Sequence, residues 1–191
     1  MILDSLNIKE ATFIVIDFET VTPKGRSPEP IEFAAICIRH GFRIDSEFAI
    51  DWLIRPPEGA SITRFDTAQT GITWELVKDK PQAADVLKEF DSLLENDFLF
   101  VAQNARYEAA IIQRFTQVCP LAAGMRYLDT IPLAKYLFSD LPNYKLDTLA
   151  NHLDVKIPPD RHRALADVRI TADVFVQLLK SGENRNDFGS R

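Results

Sequence analysis

Residues 11–18, Ala-Thr-Phe-Ile-Val-Ile-Asp-Phe, constrain the chain most: a short, β-branched apolar run that finishes in acid. A run of this kind reads as a buried strand. Asp17 and Glu19 stand two residues apart at its end, and residues two apart on a strand point to one face. Two unpaired carboxylates sharing one face of an apolar strand repel each other and lose hydration, and a bound cation relieves both costs. The side chain of Phe18, between them, faces the other way and belongs to the core. The first expectation is a sheet strand that delivers an acidic site.

The rest of the chain supplies a sheet and its cover. Residues 31–40 and 42–54 read as two further strands joined at Gly41. A loop is expected through residues 67–73. Pro81 opens a helix over 81–96, whose Ala84, Leu87, Phe90 and Leu94 recur at helical spacing. Residues 98–103 form a fourth strand, and Asn104 is placed to cap the helix over 105–115. A fifth strand at 125–129 ends on Asp129, which caps a helix over 130–138, and two more helices follow at 145–153 and 162–180. Three strands in succession and then alternating helices and strands imply an α/β fold, a mixed sheet covered by helices. Residues 1–11 are expected to be an N-terminal extension, 12–180 one domain, and 181–191 a flexible tail.

Composition narrows the classes. With 191 residues, 46% of them apolar, the chain fills one domain with a full core. The two cysteines, Cys37 and Cys119, sit in apolar runs and point to buried thiols in a reducing compartment, not to a disulfide framework or a zinc site. No run reaches the length of a membrane span, and the N-terminus lacks a basic segment ahead of an apolar one, so the expected localisation is cytoplasmic, away from membrane. A net charge of −6 speaks against wrapping long duplex. It is compatible with gripping a few terminal nucleotides where cations neutralise an acidic site.

Three further acidic features need weighing. Asp45-Ser46-Glu47 repeats the Asp-x-Glu spacing, and His40 precedes Asp45 by the five positions that separate His162 from Asp167. Asp45 and Glu47 alternate with Ile44, Ser46 and Phe48, the pattern of a half-solvated strand, and take a structural reading. Glu108, four residues after Asn104, lies about one turn into its helix at the sheet's edge; alone it also fits a solvated residue behind a cap. His162 and Asp167, on one continuous helix, would diverge by about 140°. They reach one site if His162 lies on the loop or first turn leading in, and Pro158 and Pro159 support a chain that only then becomes helical. The bland alternative for His162 is a capping or surface residue.

Together and in this order, Asp17-Phe-Glu19-Thr20, Val101 to Ile112 and His162 to Phe175 resemble the three motifs of the DEDDh, DnaQ-like exonucleases, the group that includes the proofreading subunit of bacterial DNA polymerase III. Residues 70–73 and 128–138 are also similar to that family, so the resemblance covers about residues 12–180. It implies a ribonuclease-H-like fold: a five-stranded mixed sheet with helices on both faces and Asp17 and Glu19 on its central strand. It also implies 3′→5′ hydrolysis at single-stranded 3′ ends of DNA or RNA, DNA favoured, with release of nucleoside 5′-monophosphates. Asp17, Glu19, Glu108 and Asp167 would be metal ligands and His162 the general base. By the same resemblance Phe18, Thr20, Thr70 and Asn104 lie where the terminal nucleotide would sit; Tyr107 and Phe65 are candidate stacking groups, though an aromatic at either position is more often simply core. An all-oxygen ligand set suits Mg²⁺ or Mn²⁺, and two such ions per site can serve the attacking and leaving oxygens of a phosphodiester displacement.

The chain departs from the family at two positions. Gln103 stands where histidine is common, and Glu108 replaces an aspartate, adding one methylene and roughly 1.5 Å of reach. The competing readings are a catalytically impaired nucleic-acid-binding or polymerase-accessory subunit of the same fold, and a metal-dependent phosphohydrolase acting on free nucleotides. A DNA polymerase is the partner the resemblance suggests.

Overall fold

The computed structural model describes residues 8–95, 98–159 and 161–184. Five strands form one sheet in the order β3-β2-β1-β4-β5, with β1 (Thr12–Val21), β2 (Glu29–Arg39), β3 (Arg43–Leu53), β4 (Phe98–Ala102) and β5 (Tyr127–Asp129). The first three pair antiparallel, as tight connections allow, and β4 and β5 join parallel to β1 and to each other. Parallel pairing needs helical crossovers, and these supply the cover. The fold is the expected α/β ribonuclease-H-like arrangement, with β1 central.

The two faces are filled separately. On one, Phe13, Val15, Ala34, Ile36 and Val101 meet α6 (Thr130–Leu137), α7 (Leu146–His152) and α8 (Ala164–Asn184). On the other, Ile14, Ile16, Phe18, Phe33 and Phe100 meet α3 (Ala83–Ser92), α4 (Arg106–Gln113) and α5 (Pro120–Gly124). Alternation along β1 therefore sends Phe18 into the second core, where its ring lies 4.7 Å from that of Phe33, and sends Asp17 and Glu19 to the α8 side.

Several expectations need correction. Residues 67–73 are not a plain loop: α1 (Arg64–Thr70) takes in 67–70, and α2 (Trp74–Val77) starts directly after 73. Short, with few apolar residues, α1 is held by its ends. Thr63 and Asp66 form a reciprocal capping box, and Gly71 closes the helix at φ 73°, where a glycine is unstrained. Helix α3 is shorter than the expected 81–96, although Leu94 beyond its end is still buried; residues 96–97 lie outside the described part. Asn104 does not cap α4. The side chain of Ala105 cannot, and Asp129 instead accepts the backbone N–H groups of Asn104 (3.2 Å) and Ala105 (3.0 Å) while also capping α6 through Ile131 N–H (2.9 Å).

At the termini, Ile8 is buried in the core and the Lys9 carbonyl accepts the Gly41 N–H at 2.8 Å. Residues 8–11 are thus tied to the domain, not loosely appended. Helix α8 runs four residues past the expected boundary at 180, to Asn184; residues 1–7 and 185–191 lie outside the described part. Both cysteines are buried and unbridged. The second Asp-x-Glu is structural, as read: Asp45 pairs with Arg39 at 3.1 Å and accepts the Glu47 N–H at 3.0 Å. Among the described residues no helix is long and apolar enough to cross a membrane.

Candidate active site

Three of the expected carboxylates converge. Asp17 and Glu19 on β1 and Asp167 in the first turn of α8 each offer an oxygen within 4.8 Å of the others. A register shift between Glu19 and Thr20 interrupts the β1–β2 ladder opposite Pro30, which has no N–H to give. The bulge re-aims the chain directly after the acidic pair. Helix α8 starts at Ala164, so His162 precedes it in the left-handed region at φ 73°. This off-helix placement resolves the angular conflict of a continuous helix: His162, Asp17 and Asp167 line one cleft of ≈ 760 Å³. His162 is exposed there, with its backbone N–H 3.4 Å from Asp167 Oδ1.

Glu108 is not in this group of three; it lies on the buried face of α4 with Ile111 and Ile112. It is 3% exposed, and its Oε2 has no hydrogen-bond partner among the described residues. Its pKa is pushed up to about 8, chiefly by burial. Glu19 is likewise raised to about 8, by desolvation and then by the charges of Asp167 and Glu32. The Asp17 carboxyl lies well above the usual range, through desolvation and then Glu108, Asp167 and Glu19 in that order. Desolvation raises Asp167 too, partly offset by Arg161.

Three clustered carboxylates with elevated pKa values, Glu108 lying outside their group, make a site whose natural counter-charge is a hard divalent cation. The donor set is all oxygen, so the residues fit Mg²⁺-type chemistry and not a thiolate-bound metal.

The residues expected to face a nucleotide fall into two groups. Thr20 and Thr70 line a second cleft of ≈ 630 Å³ with Glu19 and Phe65. Thr20 Oγ1 lies 2.6 Å from the Tyr107 hydroxyl, linking β1 to α4, and Phe65 is 74% exposed at the rim. The Thr70 hydroxyl is already used inside its own turn, donating to Asp66 O at 2.9 Å and accepting from Ile72 N–H at 3.1 Å. Phe18 is buried, so its side chain is not available to a ligand. Asn104 is exposed on the His162 cleft at φ 67°. Non-glycine residues held in this region often mark functional sites.

The sequence reading missed the charged frame around these residues. Glu32 on β2, fully buried opposite Glu19, accepts both the Arg163 guanidinium and the Ala164 N–H at 2.8 Å. Arg161 bridges Asp147 at 2.7 Å to Asp167. Gln103 takes the Thr130 hydroxyl and gives its amide to Tyr144 O at 2.8 Å. The Arg-His-Arg run at 161–163 was the available signal for two of these.

A carboxylate cluster built on the central strand and the α8 start of a ribonuclease-H-like fold defines the class of metal-dependent nucleases. The RNase_T exonuclease profile matches residues 14–175, and the chain belongs to that family, within its DEDDh, DnaQ-like group. It is 35% identical over 175 residues to the PolC-type DNA polymerase III of Oceanobacillus iheyensis, covering 91% of this chain and 12% of that protein. It is 33% identical to a DNA polymerase III epsilon-like protein of Rhodobacter capsulatus, over 90% of this chain and 24% of that one. The chain thus spans about an eighth of the length of its PolC-type relatives. Among solved structures, exonuclease X in complex with 5′-overhanging duplex DNA superimposes with a TM-score of 0.69 at 25% identity, over 90% of this chain and 93% of that one. The chain is an exonuclease-family hydrolase.

Proposed function

We propose that this chain removes nucleotides one at a time from the 3′ end of a single strand, DNA in preference to RNA, releasing nucleoside 5′-monophosphates. The observation that carries the reading is the convergence of Asp17, Glu19 and Asp167 within 4.8 Å, with His162 on the same cleft as Asp17 and Asp167. Asp17, Glu19, Asp167 and Glu108 would hold two Mg²⁺ or Mn²⁺ ions. When bound, these supply charge neutralisation at the phosphate and a water that loses its proton near neutral pH.

The chain's own residues do the rest. His162 accepts the proton of the attacking water, a role suited to an imidazole. The new P–O bond forms as the P–O3′ bond breaks, leaving a nucleoside 5′-monophosphate and a shortened strand whose 3′ oxygen takes a proton from solvent. Thr20 and the Phe18 main chain seat the terminal nucleoside, with Phe65 at the rim to stack on a base. Asn104 faces the phosphate side. Lys135 and Lys145, on the His162 cleft, give cationic contacts for upstream phosphates in an otherwise acidic protein. The polymerase III relatives support a DNA polymerase as working partner.

One observation favours a second reading, a catalytically impaired accessory subunit: Glu108 stands where the family has aspartate. Matched single-stranded DNA and RNA of one sequence, offered side by side with a free nucleoside triphosphate, separate the readings. Degradation of DNA ahead of RNA supports the proposal. Binding without cleavage supports the accessory subunit, and hydrolysis of the free nucleotide alone supports a phosphohydrolase.

A further inference from the structure

Both oxygens of Asp167 are turned to protein donors. Oδ2 accepts from Arg161 Nη1, and Oδ1 lies 3.4 Å from the His162 N–H. The same guanidinium gives its Nε to Asp147 Oδ1 at 2.7 Å, in the first turn of α7. The Arg161 side chain is 19% exposed and stands in the wall of the cleft that Asp17, His162, Lys135 and Lys145 also line. Burial above all raises the carboxyls of Asp17, Glu19 and Asp167, and the charge of Arg161 opposes the rise at each. Arg163, two residues on, is committed elsewhere, to the fully buried Glu32.

A guanidinium and a divalent cation on one carboxylate repel each other, so the two compete for Asp167. Arg161 has a second hold that survives the competition. Its donors radiate from one rigid plane, and Nη1 is able to change partner while Nε stays on Asp147. An anion is the new partner such a group seeks, and the planar fork of arginine matches phosphate oxygens. Lys135 and Lys145 already make this cleft the cationic one. We infer that Arg161 is a further substrate-binding residue, which yields Asp167 to the divalent cation and turns Nη1 to a nucleotide phosphate. The inference rests on the nuclease reading for its substrate, but the exchange of partners is read by binding alone.

The test is calorimetry on the parent, Arg161→Gln and Arg161→Lys, with Mn²⁺ and a nucleoside 5′-monophosphate as probes. Titrated with Mn²⁺ alone, Arg161→Gln should bind about tenfold more tightly than the parent, the scale on which one adjacent charge alters a carboxylate's affinity for a cation. Arg161→Lys keeps the charge and should match the parent. A residue that only held Asp167 in place would give the opposite sign, a weaker site. At saturating Mn²⁺ the monophosphate should bind Arg161→Gln about tenfold more weakly, the scale of a charge-assisted hydrogen bond. It should also bind Arg161→Lys more weakly, because a point charge does not hold Asp147 and a phosphate along separate edges. The unphosphorylated nucleoside should not distinguish the three. Equal or weaker Mn²⁺ binding by Arg161→Gln, or an unchanged monophosphate affinity, would overturn the exchange. If Arg161→Gln does not fold, Arg161→Lys decides, and a monophosphate affinity equal to the parent's overturns it. A parent that shows these differences yet cleaves no oligonucleotide would sink the nuclease reading and keep the exchange. Cleavage with none of the differences would do the reverse.

Discussion

Glu32 and Arg163, 131 residues apart, are joined by two oxygens accepting from one guanidinium, with Arg163 Nε at 2.9 and 3.2 Å. The same carboxylate accepts the first N–H of α8. One buried ion pair thus neutralises the carboxylate opposite Glu19, caps the helix that carries Asp167, and anchors the residue after His162. Cross-strand carboxylates such as Glu19 and Glu32 would otherwise repel.

Arg163→Ala should therefore destabilise the fold by about 3 kcal/mol, because it leaves Glu32 buried without its cation. Glu32→Gln should cost less, since the amide oxygen can still accept from Ala164 N–H. Chemical denaturation of both variants checks the order; equal midpoints for Arg163→Ala and the parent would remove the frame from the account.

The acid cluster predicts an unusual pH dependence. Glu19 and Glu108 titrate near 8 in the folded protein, against an ordinary value of 4.5. Between those values the folded state holds protons that the unfolded chain has released. Stability without divalent metal should therefore fall as pH rises from about 4.5 to 8. Adding Mn²⁺ should reverse the trend by replacing the protons, so metal uptake at pH 7 should release them. Thermal melts across this range, with calorimetry in two buffers of different ionisation enthalpy, measure both effects. Stability that climbs with pH in metal-free buffer would contradict the shifts.

His162→Ala should lower cleavage by about 10²–10⁴-fold, the usual contribution of a positioned general base. Mn²⁺ affinity and melting temperature should be unchanged, because the side chain is exposed and the carboxylates remain. Rates on one oligonucleotide, beside calorimetric metal binding, provide the check. Full activity in the variant would return His162 to a surface role.

Much of this was legible in the sequence because the signals are local. Strand alternation placed Asp17 and Glu19 on one face, and Pro158 and Pro159 marked the late start of α8 that lets His162 and Asp167 share a cleft. What escaped depends on contacts with no local signature. Glu32 reads as one more polar residue in an apolar strand until Arg163 arrives from the far end of the chain. Asn104 looked like a cap, but Asp129 across the β4–β5 pair takes that role and leaves Asn104 on the cleft. Helix α1 was hidden because its caps hold it, and caps leave a weaker pattern than a buried apolar face.

The central claim is tested most directly by following a 5′-labelled single-stranded DNA with the parent protein and Asp17→Ala, in Mn²⁺ and in EDTA. The parent in Mn²⁺ should give a ladder of progressively shorter labelled products. No cleavage should occur in EDTA and none with Asp17→Ala, which should melt no lower than the parent because one of the clustered acids is gone. Release of a labelled mononucleotide at the outset, or an unchanged ladder after exhaustive chelation, would contradict the claim.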